Sequence, residues 1–236
     1  MTEIIRAKDK QEYDKIATEL IAKNIANVLK SKEFVVLAVP GGRSVAGIFK
    51  EFITADIPWQ KVHIFIVDER LVPLEDQKSN YKLAFDSFLG ELVAKNKLPK
   101  ENIHPFVYDS QSIDKGTNAY ETELKKFGGV YDIVLLSSGE DGHVGGLYPS
   151  HHSFSDESEF FVYMDDSPKP PKDRMSMSRK LLLKSEYAIL VYLGAGKKDA
   201  LDMFLDENVS VKDCPAKIVQ EIENSWIVTD ITDLND

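Results

Sequence analysis

Short apolar runs alternate with helical stripes along most of this chain, and this alternation constrains its fold more than any other feature. Runs of strand length, rich in β-branched residues, occur at 34–39, 62–67, 132–136, 187–193 and 226–228. A strand that is apolar throughout is buried on both faces, which is typical of a parallel sheet covered by helices. The pattern therefore predicts an α/β fold with a mainly parallel sheet.

The segments between these runs have the spacing of helices or the composition of loops. Apolar side chains recur at helical spacing in the segments 11–30, 44–53, 84–93, 116–127, 200–205 and 215–222. Ser44 is well placed as the N-cap of the second predicted helix. Residues 165–173 predict a loop, because three prolines within four positions prevent regular pairing. We find no linker between two units, so we expect one domain over residues 1–236.

Charge and composition exclude several classes of function. The chain has 29 Lys and Arg against 39 Asp and Glu, a net charge of −10, which argues against binding to a nucleic-acid backbone. No run approaches the ~18 apolar residues of a membrane span, and the first residues are too charged for a signal peptide. A single cysteine, Cys214, excludes an internal disulfide framework. We expect a cytoplasmic protein whose partner is neither nucleic acid nor membrane, and the sequence does not fix its oligomeric state.

Glycine or charged residues follow four of the apolar runs directly. These segments are PGGRS (40–44), DERLVP (68–73), SSGEDGH (137–143) and GAGKK (194–198). Ligands of open α/β sheets bind beyond the carboxyl ends of the strands. We therefore expect these four segments to form the functional site.

Two of the segments have features that suit a phosphate group. Gly41 and Gly42 leave a strand and enter a helix, where glycine allows close approach and the helix N-terminus offers free N–H groups. An ordinary tight turn explains the same residues equally well. Lys197 can bind a phosphate as a point charge, or simply lie in solvent at a helix start. The first segment has neither the glycine spacing of a dinucleotide site nor that of a P-loop.

The other two segments have groups that suit catalysis. His143 follows two carboxylates and two glycines, and a histidine so placed can take and give a proton near neutral pH. A polar surface loop is the plainer alternative. Arg70 can meet an anionic group while Asp68 orients a hydroxyl or a neighbouring base, and the alternative there is a solvated strand end with a salt bridge.

Other reactive groups carry weaker patterns. His151 and His152 suggest a metal, but no further cysteine or helical histidine completes a ligand set, so we expect no metal site. No G-x-S-x-G motif supports the serine mechanism of an α/β-hydrolase. These patterns therefore support neither a metal site nor the serine nucleophile of an α/β-hydrolase.

Several stretches in register resemble the 6-phosphogluconolactonase family. They are VPGGRS (39–44), DERLVP (68–73), SNY (79–81), DIVLLSSGEDGHVGGLYP (132–149), PPKDRMSMS (170–178) and GAGK (194–197). The resemblance runs from about residue 34 to Asp230 and implies a modified Rossmann-like fold, a three-layer sandwich without nucleotide binding. It also implies hydrolysis of 6-phospho-D-glucono-1,5-lactone to 6-phosphogluconate in the oxidative pentose phosphate pathway, with no cofactor.

The resemblance further implies roles for individual residues. His143 would activate water and then protonate the departing ring oxygen. Asp141 or Asp68 would hold the tautomer of the histidine, and Arg70 with loop N–H groups would stabilise developing charge or orient the substrate. The residues implied to receive the phosphate are Gly41, Gly42, Arg43, Ser44, Arg174 and Lys197.

Two alternatives share the same fold and phosphate site. The first is a sugar-phosphate deaminase or isomerase, which typically has tyrosine where Arg70 stands, so that Arg70 favours the lactonase. The second is a non-catalytic sugar-phosphate sensor. Gly145 and Gly146 leave the sensor as an alternative, because they replace a hydroxyl-bearing residue that is usual in the family.

Overall fold

A seven-stranded parallel sheet forms the centre of the computed structural model, which describes residues 2–232. The strands along the described chain are β1 (Glu3–Arg6), β2 (Val35–Val39), β3 (Val62–Ile66), β4 (Asp68–Arg70), β5 (Ile103–His104), β6 (Ile133–Ser137), β7 (Phe161–Met164), β8 (Arg174–Met177), β9 (Tyr187–Tyr192) and β10 (Asn224–Thr229). The sheet has the order β1-β10-β9-β6-β2-β3-β5, and every neighbouring pair is parallel. The five predicted runs are β2, β3, β6, β9 and β10, so the prediction of a mainly parallel sheet is confirmed.

The strand β2 shows why these runs are apolar throughout. Val35, Leu37 and Val39 pack into one hydrophobic core, whereas Val36 and Ala38 pack into another. All five side chains are fully buried. Because successive side chains of a strand point to opposite faces, a strand between two helical layers has no polar side. The chain is therefore an α/β sandwich with helices on both faces of the sheet, as predicted.

The helices form the two outer layers. Along the described chain they are α1 (Lys10–Val28), α2 (Ala46–Phe52), α3 (Asn80–Ala84), α4 (Gly90–Ala94), α5 (Thr117–Lys125), α6 (His152–Ser155), α7 (Arg179–Leu183) and α8 (Lys198–Leu205). A π-helical turn at Phe85–Leu89 joins α3 to α4, and Ser79 caps α3 by accepting a hydrogen bond from the Lys82 amide. Side chains of α1, α2 and α4 pack in one core and those of α5, α7 and α8 in the other. No helix between residues 2 and 232 has both the length and the apolar character of a membrane span.

Two local predictions differ from the structure. Ser44 is not an N-cap, because it lies inside a 3-10 turn, Arg43–Val45, and no side-chain hydrogen bond caps α2 in the described part of the chain. Gly42, the residue before this turn, has a positive φ, a conformation that favours glycine. The helix predicted at 215–222 is a 3-10 helix, Pro215–Glu221.

A second, three-stranded antiparallel sheet has the order β4-β8-β7. Sequence patterns did not predict it, because β4 consists of charged residues and has no apolar alternation. Its pairing sets Arg70 opposite Arg174 and Asp68 opposite Ser176. The predicted loop at 165–173 is confirmed and connects β7 to β8. This small sheet brings side chains from distant segments to the carboxyl edge of the large one.

Candidate active site

A cavity of about 720 Å³ lies beyond the carboxyl ends of β2, β3, β6 and β9. All four segments that follow the predicted strands contribute to its wall. The expected site residues found in the wall are Gly41, Gly42, Arg43, Ser44, Asp68, Arg70, His143, Arg174 and Lys197. Asp141 joins them through its contact with the His143 ring. The cavity has the size of a small-molecule site.

The wall of the cavity is cationic although the chain as a whole is acidic. Its carboxylates are Asp68 and Glu140, and its cations are Lys10, Arg43, Arg70, Lys169, Arg174 and Lys197. The overall net charge of −10 is thus locally reversed. A cleft lined mainly by one sign of charge concentrates ligands of the opposite sign. The site therefore suits an anionic small molecule.

His143 is held by a carboxylate at the edge of the cavity. Its Nδ1 is hydrogen-bonded to Asp141 Oδ1. The ring centroid lies 4.8 Å from that of Tyr148, and the side chain is 20% exposed. Because Nδ1 is engaged, Nε2 is the nitrogen that a bound molecule can reach.

Asp141 is kept ionised by its neighbours. Lys169 Nζ lies 3.0 Å from Asp141 Oδ2, while Oδ1 contacts His143. Burial by itself would raise the pKa of Asp141, but the hydrogen bond to His143 and the charge of Lys169 outweigh it and hold the pKa well below its ordinary value. Asp141 therefore remains a carboxylate that accepts a hydrogen bond from Nδ1–H and fixes the tautomer of the histidine.

The structure explains why the histidine segment has a glycine at position 139. The Gly139 amide donates a 2.8 Å hydrogen bond to the carbonyl of His143, so the segment turns back on itself. A Cβ at this position would lie 2.1 Å from His143 Nδ1 and 2.6 Å from Asp141 Oδ1. Only glycine leaves room there for the histidine and its carboxylate.

Asp68 is paired with an arginine of the cavity wall. Its Oδ2 lies 3.7 Å from Arg174 Nη1, and the two side chains are 9% and 5% exposed. The Arg174 guanidinium also donates to the carbonyls of Pro170 and Pro171, each at 3.0 Å. Of the two carboxylates considered for His143, Asp141 makes the contact, whereas Asp68 fixes an arginine.

Arg70 is anchored by the segment that leads into α3. Its Nη1 donates to the Lys78 carbonyl at 2.5 Å. The neighbouring Glu69 is buried and accepts hydrogen bonds from the Ser79 hydroxyl and the Asn80 amide, and burial raises the pKa of Glu69. Glu69 therefore connects β4 to α3, and its position in turn sets the backbone of Arg70.

Two 3-10 turns form the part of the cavity that suits a phosphate. Arg43–Val45 leads into α2 and Ala195–Lys197 leads into α8. Each follows a glycine with positive φ, 104° at Gly42 and 83° at Gly194. The first amides of a helix have no partner within it and can bind an anion. Burial lowers the pKa of Lys197, against the opposing charge of nearby carboxylates.

Several polar side chains of the wall were not predicted, among them Lys10, Asn80, Tyr148 and Lys169. Asn80 Nδ2 donates to the Asp68 carbonyl at 2.6 Å. A Cβ at Gly41 would lie 1.8 Å from the Asn80 Oδ1, so the glycine loop packs directly on this amide. Asn80 and Tyr148 lie within the stretches that resemble the family, which is the signal that could have found them. Lys10, at the start of α1, has no such signal.

Comparison with known proteins places the chain in a family. Residues 8–228 match the family described as glucosamine-6-phosphate isomerases/6-phosphogluconolactonase. The chain belongs to this family. It is 36% identical over 207 residues to the 6-phosphogluconolactonase of Borreliella burgdorferi, with 87% of each chain covered. It is 30% identical over 244 residues to the probable 6-phosphogluconolactonase of Schizosaccharomyces pombe, with 92% of each covered.

Two solved structures share the fold. The 6-phosphogluconolactonase of Thermotoga maritima gives a TM-score of 0.83 at 25% identity, covering 97% of this chain and 100% of that one. A monomeric glucosamine-6-phosphate deaminase gives a TM-score of 0.81 at 21% identity, covering 97% of both. The second likeness shows the fold alone. Because the fold is common to both kinds of enzyme, the residues of the cavity must distinguish them.

Proposed function

We propose that this chain hydrolyses 6-phospho-D-glucono-1,5-lactone to 6-phosphogluconate, a reaction of the oxidative pentose phosphate pathway. The observation that carries the proposal is His143, held by Asp141 in a cavity whose wall is mainly cationic. The relatives named as 6-phosphogluconolactonases support the same reaction. We expect the protein to act in the cytoplasm, where an unpaired cysteine remains reduced.

Lactone hydrolysis needs a base for water and an acid for the ring oxygen, and His143 can serve as both. In the proposed cycle, Nε2 takes a proton from water as the water oxygen attacks the C1 carbonyl. Asp141 keeps Nδ1–H in place and stabilises the imidazolium that forms. When the bond between C1 and the ring oxygen breaks, Nε2 returns the proton to that oxygen. The products are a hydroxyl at C5 and a carboxylic acid at C1, which ionises in water.

Arg70 is the proposed partner for the charge that develops on the C1 oxygen. It lies in the same wall as His143, and its guanidinium is held in place by the Lys78 carbonyl. Donors that are already in place stabilise a developing oxyanion without reorganisation. Asp68 supports this arrangement indirectly, because it fixes Arg174 directly across the β4–β8 pairing from Arg70.

The phosphate of the substrate is proposed to bind at the two 3-10 turns and the adjoining cations. The proposed ligands are Gly41, Gly42, Arg43, Ser44, Arg174 and Lys197. Backbone amides at the start of a helix and positive side chains together make a strong anion site. The burial that lowers the pKa of Lys197 disfavours its charged form, and the negative charge of a phosphate would offset that cost.

A parallel assay with two substrates tests the proposal. The purified protein is given freshly generated 6-phosphogluconolactone and, separately, glucosamine 6-phosphate, while 6-phosphogluconate and ammonia are followed. We expect 6-phosphogluconate to form faster than by spontaneous hydrolysis and no ammonia to be released. Ammonia release would instead assign a deaminase. Saturable binding without either product would assign a sensor.

A further inference from the structure

His151, His152 and Asp166 form a cluster that does not belong to the wall of the catalytic cavity. His151 precedes α6, His152 is its first residue, and Asp166 lies in the 165–173 loop. The Nε2 atoms of His151 and His152 lie 3.2 and 2.9 Å from the same oxygen, Asp166 Oδ1. The sequence predicts no metal site because no third ligand accompanies the histidine pair. The fold supplies one from the loop between β7 and β8.

We propose that this cluster binds a divalent transition-metal ion, for which Zn²⁺ is the best fit. The three ligand atoms lie within 4.8 Å of one another. In a tetrahedral site with Zn–N and Zn–O distances of ~2.0–2.2 Å, neighbouring ligand atoms are about 3.3 Å apart. Both His–Asp separations are close to this value, so an ion can be received with small movements of the side chains.

The chemistry of the ligands selects among metals. Two imidazoles and one carboxylate suit Zn²⁺ and leave a further position for water. Mg²⁺ and Ca²⁺ prefer sets of oxygen ligands, and the cluster offers a single carboxylate. The side chains of His152 and Asp166 are 51% and 55% exposed, so an ion can enter directly from solvent.

Ser153 is hydrogen-bonded to His151 and can stabilise the tautomer that binds a metal. Its Oγ lies 2.9 Å from His151 Nδ1, so an Nδ1–H has an acceptor and Nε2 keeps a free lone pair. The Ser153 amide lies 3.2 Å from the same Nδ1 and serves the opposite tautomer, in which Nε2–H donates to Asp166. Metal binding selects the first tautomer. The ring is already held in position, since it is 15% exposed and packs edge-on against Tyr148.

A metal ion at this position restrains a loop of the catalytic cavity. Asp166 belongs to the same loop as Lys169, whose Nζ contacts Asp141. Between them, the Ser167 hydroxyl donates to the Lys169 carbonyl at 3.0 Å. An ion that joins Asp166 to the start of α6 therefore limits the movement of Lys169. The inference does not rest on the proposed reaction, because its readout is metal binding.

Calorimetric titration of EDTA-treated, metal-free protein with ZnCl₂ tests the proposal. We expect one Zn²⁺ per chain and a Tm that rises with zinc concentration. Asp166→Asn and His152→Ala each remove an exposed ligand and should weaken binding by at least about tenfold, because even the outer partners of metal ligands contribute about 10–100-fold. Asp165→Asn is the matched control, since it removes the same charge one residue away, and it should bind zinc as the wild type does. Circular dichroism checks that each variant folds.

Several results would overturn the proposal. One is the absence of stoichiometric zinc binding to the wild type, and another is an Asp166→Asn variant that binds as tightly as the wild type. Zinc binding that is lost in His143→Ala but kept in Asp166→Asn would place the ion in the catalytic cavity. Binding of Mg²⁺ as tight as that of Zn²⁺ would contradict ligation by two imidazoles.

Discussion

His143 and His104 are each hydrogen-bonded to a carboxylate, yet they lie in contrasting surroundings. His143 stands at the edge of a cationic cavity. His104 is buried, and its Nδ1 lies 3.0 Å from Glu123 Oε1 while its Nε2 lies 3.0 Å from His63 Nδ1. Its ring stacks on Phe65 at a centroid distance of 4.4 Å. Of these two histidine–carboxylate pairs, one therefore lies beside a cavity and the other in an aromatic cluster.

The contrast separates a histidine that we propose to be catalytic, His143, from one that is structural, His104. The pKa of His104 is lowered to about 4, mainly by burial and to a smaller extent by the nearby His63. Its ring therefore stays neutral at neutral pH. Both of its nitrogens are occupied. His143 has one nitrogen fixed by Asp141, and the other can reach a ligand. The accessible second nitrogen, rather than the contact with a carboxylate, is what indicates catalysis.

The largest expected effect is on catalysis at His143. His143→Ala should lower kcat by ~10²–10⁴-fold, which is the usual contribution of acid–base catalysis. Initial rates on freshly generated lactone, corrected for spontaneous hydrolysis, measure this. The free energy of unfolding should remain near that of the wild type, because the ring is partly exposed. Near-normal turnover would remove His143 from the mechanism.

Asp141→Asn should lower kcat by about 10²-fold or more, because an amide can donate to Nδ1 and favour the wrong tautomer. The control is Glu140→Gln, which removes the neighbouring carboxylate without touching the histidine ring. Its loss of kcat should be much smaller. Equal losses in the two variants would indicate a general effect of charge in place of a held tautomer.

His104, the buried histidine, should affect the stability of the protein and not its turnover. Because the pKa of His104 is about 4 in the folded chain and about 6.5 ordinarily, the unfolded chain binds the proton more tightly. The free energy of unfolding should therefore fall as pH drops from about 6.5 to about 4, by roughly 3 kcal/mol at most, and be unaffected by this group at higher pH.

Urea unfolding at about pH 7.5 and about pH 5 measures this dependence, and His104→Gln should show less of it than the wild type. Identical pH dependence in the wild type and His104→Gln would contradict the assignment.

Lys169 should have the smallest effect. Its contact with Asp141 joins side chains that are 46% and 33% exposed. Such pairs contribute up to about 1 kcal/mol, so Lys169→Met should lower kcat/KM by no more than about fivefold. Lys169→Arg should restore most of the loss, and the difference should shrink at high salt. A loss as large as that of His143→Ala would make Lys169 a catalytic residue itself.

The large sheet could be predicted because its central strands are buried on both faces and carry long apolar runs. The edge strands β1 and β5 could not, since they have four and two residues and too little sequence for a pattern. The small sheet was missed for a different reason. Its strand Asp68–Arg70 is charged and is specified by pairing with β8, which is a contact between distant segments.

The candidate site was predictable where its residues directly follow predicted strands. His143, Arg70 and Lys197 were found in this way, and the structure places all three in one wall. The choice between Asp141 and Asp68 depends on side-chain geometry, which sequence spacing does not determine. Contacts made by the 165–173 loop could not be predicted either, because a proline-rich loop has no periodicity from which its path could be inferred.

Rates of lactone hydrolysis by His143→Ala and His104→Gln, measured side by side on freshly generated lactone near neutral pH, test the central claim most directly. We expect His143→Ala to fall close to spontaneous hydrolysis and His104→Gln to stay close to the wild type. The reverse order, or equal losses in both variants, would contradict the claim that an accessible ring nitrogen distinguishes the catalytic histidine from the structural one.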